Sequence, residues 1–346
     1  MLEWMKADFA GRGIDAPRLD AELLVAHALG SERIQLYLDL DRPLADQELS
    51  DVKALVKRRR AFEPMAYILG YRDFYKLRFE VNAHVLIPRP DTESLVEVAL
   101  PHCTGDARVI DLCTGSGCVA IALAAERPLT SILATDISPD ALAVAERNAQ
   151  THGAAVEFAC GDLFAGFEGP FDLVVSNPPY IRNDERDELS ADVRDHEPGL
   201  ALFAGDLGTE VHTRIVNACQ TQLRAGGVLA MELGAEQAAE VRRIFADAGY
   251  VHVQTSVDPG GLDRLVSRAA PAAAAAAEVP EVRELEYNPR RIFIKQADLE
   301  RFGFTHGCRR CALMREGRKA QGVKHSDECR LRLEQCLRDA GDPRLA

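Results

Sequence analysis

The chain has 346 residues, 47% of them apolar and 27% charged, with 25 Gly, 17 Pro and a net charge of −13. These proportions suit a globular protein of two or three domains. No apolar run approaches the ~20 residues that cross a bilayer, and the acid–base mixture of the N-terminus lacks the apolar core of a secretion signal, so membrane and secreted readings are excluded and a cytoplasmic location is expected, with an organelle left open.

Residues 1–72 read as a helical domain. Leu19, Leu23 and Ala26 share one helix face, and Leu49, Val52 and Val56 share another, with Asp41 or Asp46 as N-cap. Lys57–Arg60 closes the second helix, where cations suit the dipole and a solvated end is the simplest reading. Residues 73–106 form a connector, with a hairpin pattern around Asn82 between Asp73 and Ile87 and then a leading helix.

From 107 to 268 strands and helices alternate. ARVIDL, SILATD, AAVEFA, FDLVVS, GVLAMEL and VHVQTS are short β-branched or apolar runs, separated by helical stretches such as Val119–Glu126, Pro139–Gln150 and Ala235–Ala248. The alternation predicts an α/β fold, a doubly wound sheet of parallel strands with crossover helices. Ligands of such sheets bind at the carboxyl ends of the strands. The Ala-rich stretch from Ala269 to Pro280 opens a linker over 269–290, and 291–346 form a separate small unit.

The strand-end loops carry the chemistry. Asp111 is followed by Leu-Cys113-Thr114-Gly115-Ser116-Gly117, where glycines let the backbone turn sharply and approach a ligand. The spacing is not that of a dinucleotide fingerprint. Asp136 ends the second strand, where a carboxylate can accept both hydroxyls of a ribose. Asp162 and Leu163 follow the third, placed for an adenine amino group and an adenine ring. Each of these two Asp residues alone also reads as a helix cap or turn residue; suitable residues at three successive strand ends, the Gly loop included, point to an adenosine-containing cofactor.

The fourth strand runs into Asn177-Pro178-Pro179-Tyr180. Two prolines stiffen the loop and remove two donors. The Asn177 side-chain oxygen and the Pro178 carbonyl are two acceptors for the hydrogens of one –NH2 group, and Tyr180 can stack on its face. Gripping both N–H groups pulls an amide or aromatic amine out of planarity and aims its lone pair at an electrophile, which is catalysis by positioning.

The ordered set of Gly loop, Asp136, Asp162 and Asn-Pro-Pro-Tyr resembles class I (Rossmann-like) S-adenosylmethionine-dependent amino-methyltransferases. The flanks narrow the resemblance to the peptide chain release factor N5-glutamine methyltransferase family: Pro17-Arg-Leu-Asp-Ala-Glu-Leu-Leu24, the segment Arg58–Gly70, Pro88-Arg-Pro-Asp-Thr-Glu93, Glu197-Pro198 with Ala201-Leu202, and Asp263-Arg264. The resemblance covers about residues 1–268. It implies transfer of a methyl group from S-adenosylmethionine to the glutamine of the Gly-Gly-Gln loop of release factors, with the helical domain helping to dock the factor. Cys113, Thr114, Gly115, Ser116, Gly117, Asp136, Asp162, Leu163 and Asn177 would surround the cofactor, and Asn177, Pro178, Pro179 and Tyr180 would hold the acceptor. Cys113 stands where the family often has Gly. Alternatives are an adenine-N6 nucleic-acid methyltransferase, against which the acidic body argues, and a glutamine methyltransferase of a ribosomal protein. A monomer is expected.

The tail differs in character. Nine cysteines, five of them scattered, argue against a disulfide framework. Cys308, Cys311, His325 and Cys329 have the spacing of a Cys3His zinc site. Residues 301–332 hold nine basic and three acidic side chains, whereas residues 1–268 carry a charge near −16. Nucleic acid is therefore a possible partner of the tail alone.

Overall fold

The computed structural model describes residues 1–269, apart from 39–41, 129, 251–252 and 258–262. The chain opens with α1 (Leu2–Gly11), α2 (Pro17–Ala28), α3 (Gln35–Leu38), α4 (Asp46–Arg60) and α5 (Met65–Leu69). Pro17 stands at the start of α2, where its missing N–H costs nothing. Met5, Phe9, Ala21, Leu24, Val25, Val52, Val56 and Ile68 bury one another, so these helices have a core of their own. Asp46 is already helical. The start of α4 is instead secured by Glu48, whose Oε2 accepts the Ala45 N–H at 2.9 Å; Asp41 lies outside the described residues.

The basic end of α4 is solvated only in part: Lys57 and Arg60 are exposed, whereas Arg59 is buried. Arg59 Nε donates to Asp20 Oδ2 at 2.7 Å, and the two side chains are only 9% and 7% exposed. Arg58 binds Glu63 and donates to the Tyr67 carbonyl, and Arg60 pairs with Asp8 at 3.1 Å. Three guanidinium groups thus tie α4 to α1, α2 and the turn before α5. Burial pushes the Asp20 carboxyl above its usual range, and Arg59 opposes that shift.

A hairpin follows, β1 (Tyr71–Phe74) and β2 (Leu77–Glu80). It turns at Tyr75 and Lys76, both left-handed (φ 45° and 68°), which matches the twist of the strands. Asn82 is not the hairpin turn. Its Oδ1 accepts the His84 N–H at 3.0 Å in a local turn farther on. Then come α6 (Glu93–Ala99), β3 (Arg108–Leu112), α7 (Cys118–Glu126), β4 (Ser131–Asp136), α8 (Pro139–His152), β5 (Val156–Cys160) and β6 (Phe171–Ser176). β7 (Ile181–Arg182), α9 (Ala191–His196), α10 (Gly199–Leu202), β8 (Phe203–Gly205), α11 (Glu210–Gln222), β9 (Leu223–Glu232), α12 (Ala238–Asp247), β10 (Gln254–Val257) and β11 (Asp263–Ala269) complete the described part.

Seven strands form one sheet in the order β10-β11-β9-β6-β3-β4-β5. β9, β6, β3, β4 and β5 are parallel, as the alternation predicts. β11 is antiparallel to both neighbours, so the sheet is mixed rather than wholly parallel. Each face has its own core. One is filled by Leu95, Val96 and the apolar run Val119–Ala124 of α7, the other by Ile215, Val216, Val241 and Phe245 of α11 and α12. The order reverses at β3, so the crevice at its carboxyl end is where a ligand is expected.

Arg59→Ala should lower the unfolding free energy by about 3–5 kcal/mol, because it strands a buried carboxylate. Replacing both partners, Arg59→Met with Asp20→Leu, should recover most of that loss. Urea unfolding checks both; a single-variant loss below about 1 kcal/mol would mark the pair as solvent-screened.

Candidate active site

The turn from β3 into α7 is built on left-handed residues: Cys113 (φ 58°), Gly115 (φ 56°) and Gly117 (φ 80°). A Cβ on Gly117 would lie 2.9 Å from Ile121 Cδ1 and 3.1 Å from Ala145 Cβ, so only glycine lets α7 and α8 approach here. A Cβ on Gly115 would meet nothing within 4 Å. Open space therefore faces that backbone. The loop is clamped from behind: the Thr114 N–H donates to the Thr135 carbonyl at 3.0 Å, and Asn148 Nδ2 donates to the Ser116 carbonyl at 2.9 Å. Buried Asp111 accepts the Thr114 hydroxyl at 2.7 Å and the Ala120 N–H at 3.3 Å. Burial pushes its carboxyl up to about 7.

Asp136, at the end of β4, accepts the Gly115 N–H on Oδ2 and the Ser138 N–H on Oδ1, both at 2.9 Å. The cap of α8 is Ser138, which accepts the Ala141 N–H. Each carboxylate oxygen of Asp136 retains a lone pair for one further donor. Beyond β5, Asp162 Oδ2 accepts from Arg214 of α11 at 2.7 Å, which leaves Oδ1 for another donor. Leu163 is buried and left-handed (φ 56°), and its carbonyl accepts the Thr135 hydroxyl.

The Asn177–Tyr180 loop follows β6, whose last hydroxyl, Ser176, donates to the Leu112 carbonyl at 2.8 Å. Asn177 Nδ2 donates to Thr92 Oγ1 at 3.1 Å. At the other end the Tyr180 carbonyl accepts Gln237 Nε2 at 2.8 Å, and Gln237 Oε1 accepts the Gly234 N–H at 3.0 Å. The loop is pinned at both ends. The structure thus brings the Gly loop, Asp136, Leu163 and Asn177 to adjoining strand ends of one sheet.

Several residues of this frame escaped the sequence reading. Thr92 and Gln237 are two. A third is the buried Glu197, whose carboxylate accepts Arg89 Nη2 at 2.7 Å and the Ile87 N–H at 3.2 Å. Next to it, His196 Nε2 lies 2.8 Å from the Ala61 carbonyl, to which it must donate. Thr92, Arg89 and Glu197 fall within the quoted motifs, which was the available signal; Gln237 had none. Cys308, Cys311, His325 and Cys329 lie outside the described residues, among which no His/Cys/Asp/Glu group is placed to hold a metal.

Cys113 keeps some solvent contact, yet burial, with Asp136 nearby, pushes its thiol up to about 12, so it remains neutral. Its left-handed backbone costs a side chain roughly 1–2 kcal/mol, more than the ~0.5–1 kcal/mol that glycine's flexibility costs. Cys113→Gly should therefore raise the melting temperature by about 2 °C. Cys113→Val, β-branched at positive φ, should lower it. A thermal melt ranking Val above Gly would contradict the strain.

Residues 1–70 match the family model described as the PrmC N-terminal domain, and residues 91–193 match the methyltransferase small domain. The release factor glutamine methyltransferase of Geobacter sulfurreducens is 42% identical over 267 residues, 77% of this chain and 94% of that protein. Its counterpart from Chlorobaculum tepidum is 44% identical over 281 residues, 77% and 95% of the two chains. That of Nitratidesulfovibrio vulgaris is 43% identical over 260 residues, 73% and 88%. With a methyltransferase domain on a class I sheet and a matching helical domain ahead of it, the chain belongs to the release factor glutamine methyltransferase family.

Proposed function

We propose that this site transfers a methyl group from S-adenosylmethionine to N5 of the glutamine in the Gly-Gly-Gln loop of a peptide chain release factor. Family membership supports the reaction. The observation that carries it to particular atoms is the Asn177 carboxamide, held by Thr92 at the end of β6 beside the Gly loop. The residues present fit the cofactor: open space over Gly115, spare lone pairs on Asp136 and an apolar wall at Leu163. Cys113–Gly117 would take its methionine part, Asp136 its ribose, and Asp162 and Leu163 its adenine.

When bound, S-adenosylmethionine supplies a methyl carbon made electrophilic by the sulfonium. The chain's task is the nucleophile. An amide nitrogen shares its lone pair with the carbonyl and attacks poorly. Asn177 Oδ1 and the Pro178 carbonyl accept its two N–H groups, and Tyr180 covers its face, which localises the lone pair along the line of attack. The alkylated nitrogen is strongly acidic and sheds its proton without a tuned base.

This reading assigns residues 1–72 to docking the factor, 73–106 to a connector, 107–268 to catalysis and 269–290 to a linker, in a monomeric chain. For 291–346 it takes one zinc on Cys308, Cys311, His325 and Cys329, with a basic surface suited to nucleic acid; the residue spacing supports it. Metal analysis of the full chain should give about one zinc, lost in Cys308→Ser; a metal-free wild type removes the site.

The test of function is labelled-methyl transfer to a release factor, to its Gln→Ala loop variant and to DNA. Label is expected on the intact factor alone; label on DNA and not on the factor would favour adenine-N6 transfer instead. Asn177→Ala should cost about 10²–10³-fold in kcat while sparing cofactor affinity, since the lost acceptor acts in the transition state. Asp136→Ala should do the reverse, weakening cofactor binding by about 10–100-fold. Calorimetry showing unchanged affinity would remove Asp136 from the site.

A further inference from the structure

We infer that Thr92 is a positioning residue for methyl transfer: its hydroxyl holds the Asn177 carboxamide in the place from which it meets the substrate. The inference rests on the amide-gripping reading of Asn177. A carboxamide carries an acceptor at one end and a donor at the other, and a half-turn about its last bond exchanges two atoms of nearly equal size. Only one orientation serves the reaction. With Oδ1 outward the side chain accepts a substrate N–H; with Nδ2 outward it sets donor against donor.

Asn177 Nδ2 lies 3.1 Å from Thr92 Oγ1, so Oδ1 is the end left for the substrate. Thr92 is 2% exposed and cannot exchange this contact freely for water. It closes the short 3-10 turn Pro90–Thr92, and both flanks of that turn are anchored. On one side Arg89 binds the buried Glu197 at 2.7 Å. On the other, Glu93 Oε1 accepts the Tyr75 N–H of the hairpin turn at 3.0 Å. The hydroxyl is therefore carried on a fixed frame, across 85 residues of sequence from the group it holds.

Without that partner the carboxamide loses the hydrogen bond that anchors its inner end, and the population placed for the substrate falls. Thr92→Val keeps the shape and removes the oxygen. It should lower kcat on a release factor about 10-fold, the weight of one hydrogen bond to a half-buried amide. KM for the factor, cofactor affinity and melting temperature should stay within about two-fold or two degrees, because docking surfaces and the Gly loop are untouched. Thr92→Ser restores the hydroxyl and should recover most of kcat. If Thr92→Val does not fold, Thr92→Ala measured against Thr92→Ser reads the same oxygen.

A kcat for Thr92→Val within two-fold of wild type, or a Ser variant as slow as Val, would overturn the positioning role. A fall in melting temperature or cofactor affinity that tracks kcat would show Thr92 to be structural only. Wild-type chain that fails to methylate the factor at all would instead refute the reading on which this inference rests.

Discussion

The poor nucleophilicity of an amide nitrogen is the constraint on which the molecule is organised. Such a nitrogen reacts only when both its hydrogens are held by acceptors of fixed direction, so the acceptors must be stiffer than the bond they deform. On the proposed reading, a two-proline loop at the end of a central strand supplies those acceptors. That strand is hydrogen-bonded on both sides, to β3 and β9. The loop is then fastened through Thr92 at Asn177 and through Gln237 at Tyr180. What lies farther out continues the same support. Arg89 and Glu197 join the segment before α6 to the segment after α9. Tyr67 donates to the Val85 carbonyl and His196 contacts the Ala61 carbonyl, so the helical domain bears on the same frame.

Two of the five left-handed residues other than glycine among those described stand where a ligand would lie. Cys113 and Leu163 both adopt left-handed conformations without being glycine, and both follow parallel strands of the mixed sheet. Strain of this kind persists only where surrounding structure over-determines it. Here the determinants are visible: Thr135, in β4, donates its hydroxyl to the Leu163 carbonyl while its own carbonyl accepts from Thr114. One buried residue thus sets two loops at once, and neither loop needs a strong local preference of its own.

Much of this was legible in the sequence, and the failures have common physical causes. The five parallel strands show as β-branched runs because both their faces are covered. Asp136 and the Asn-Pro-Pro-Tyr loop stand out because their chemistry is local. The hairpin turn was misplaced because Tyr75-Lys76 is a poor composition for a turn usually made by Asn and Gly, whereas Asn82 is a good one. Strand β11 was missed because Asp263–Ala269 mixes charged and apolar residues and pairs antiparallel at the far side of β9. Arg59 and Arg60 looked unpartnered because their partners, Asp20 and Asp8, are tens of residues away. Thr92 and Gln237 act through contacts that no short window contains.

The account stands or falls on which atoms of this chain face the acceptor amide. A crystal structure of the full chain with S-adenosylhomocysteine and a peptide containing Gly-Gly-Gln measures it directly. The account requires Asn177 Oδ1 and the Pro178 carbonyl each to lie within about 3.2 Å of the glutamine side-chain nitrogen, with Nδ2 still on Thr92. A glutamine nitrogen bound elsewhere, or an Asn177 carboxamide turned with Nδ2 toward it, would contradict the account.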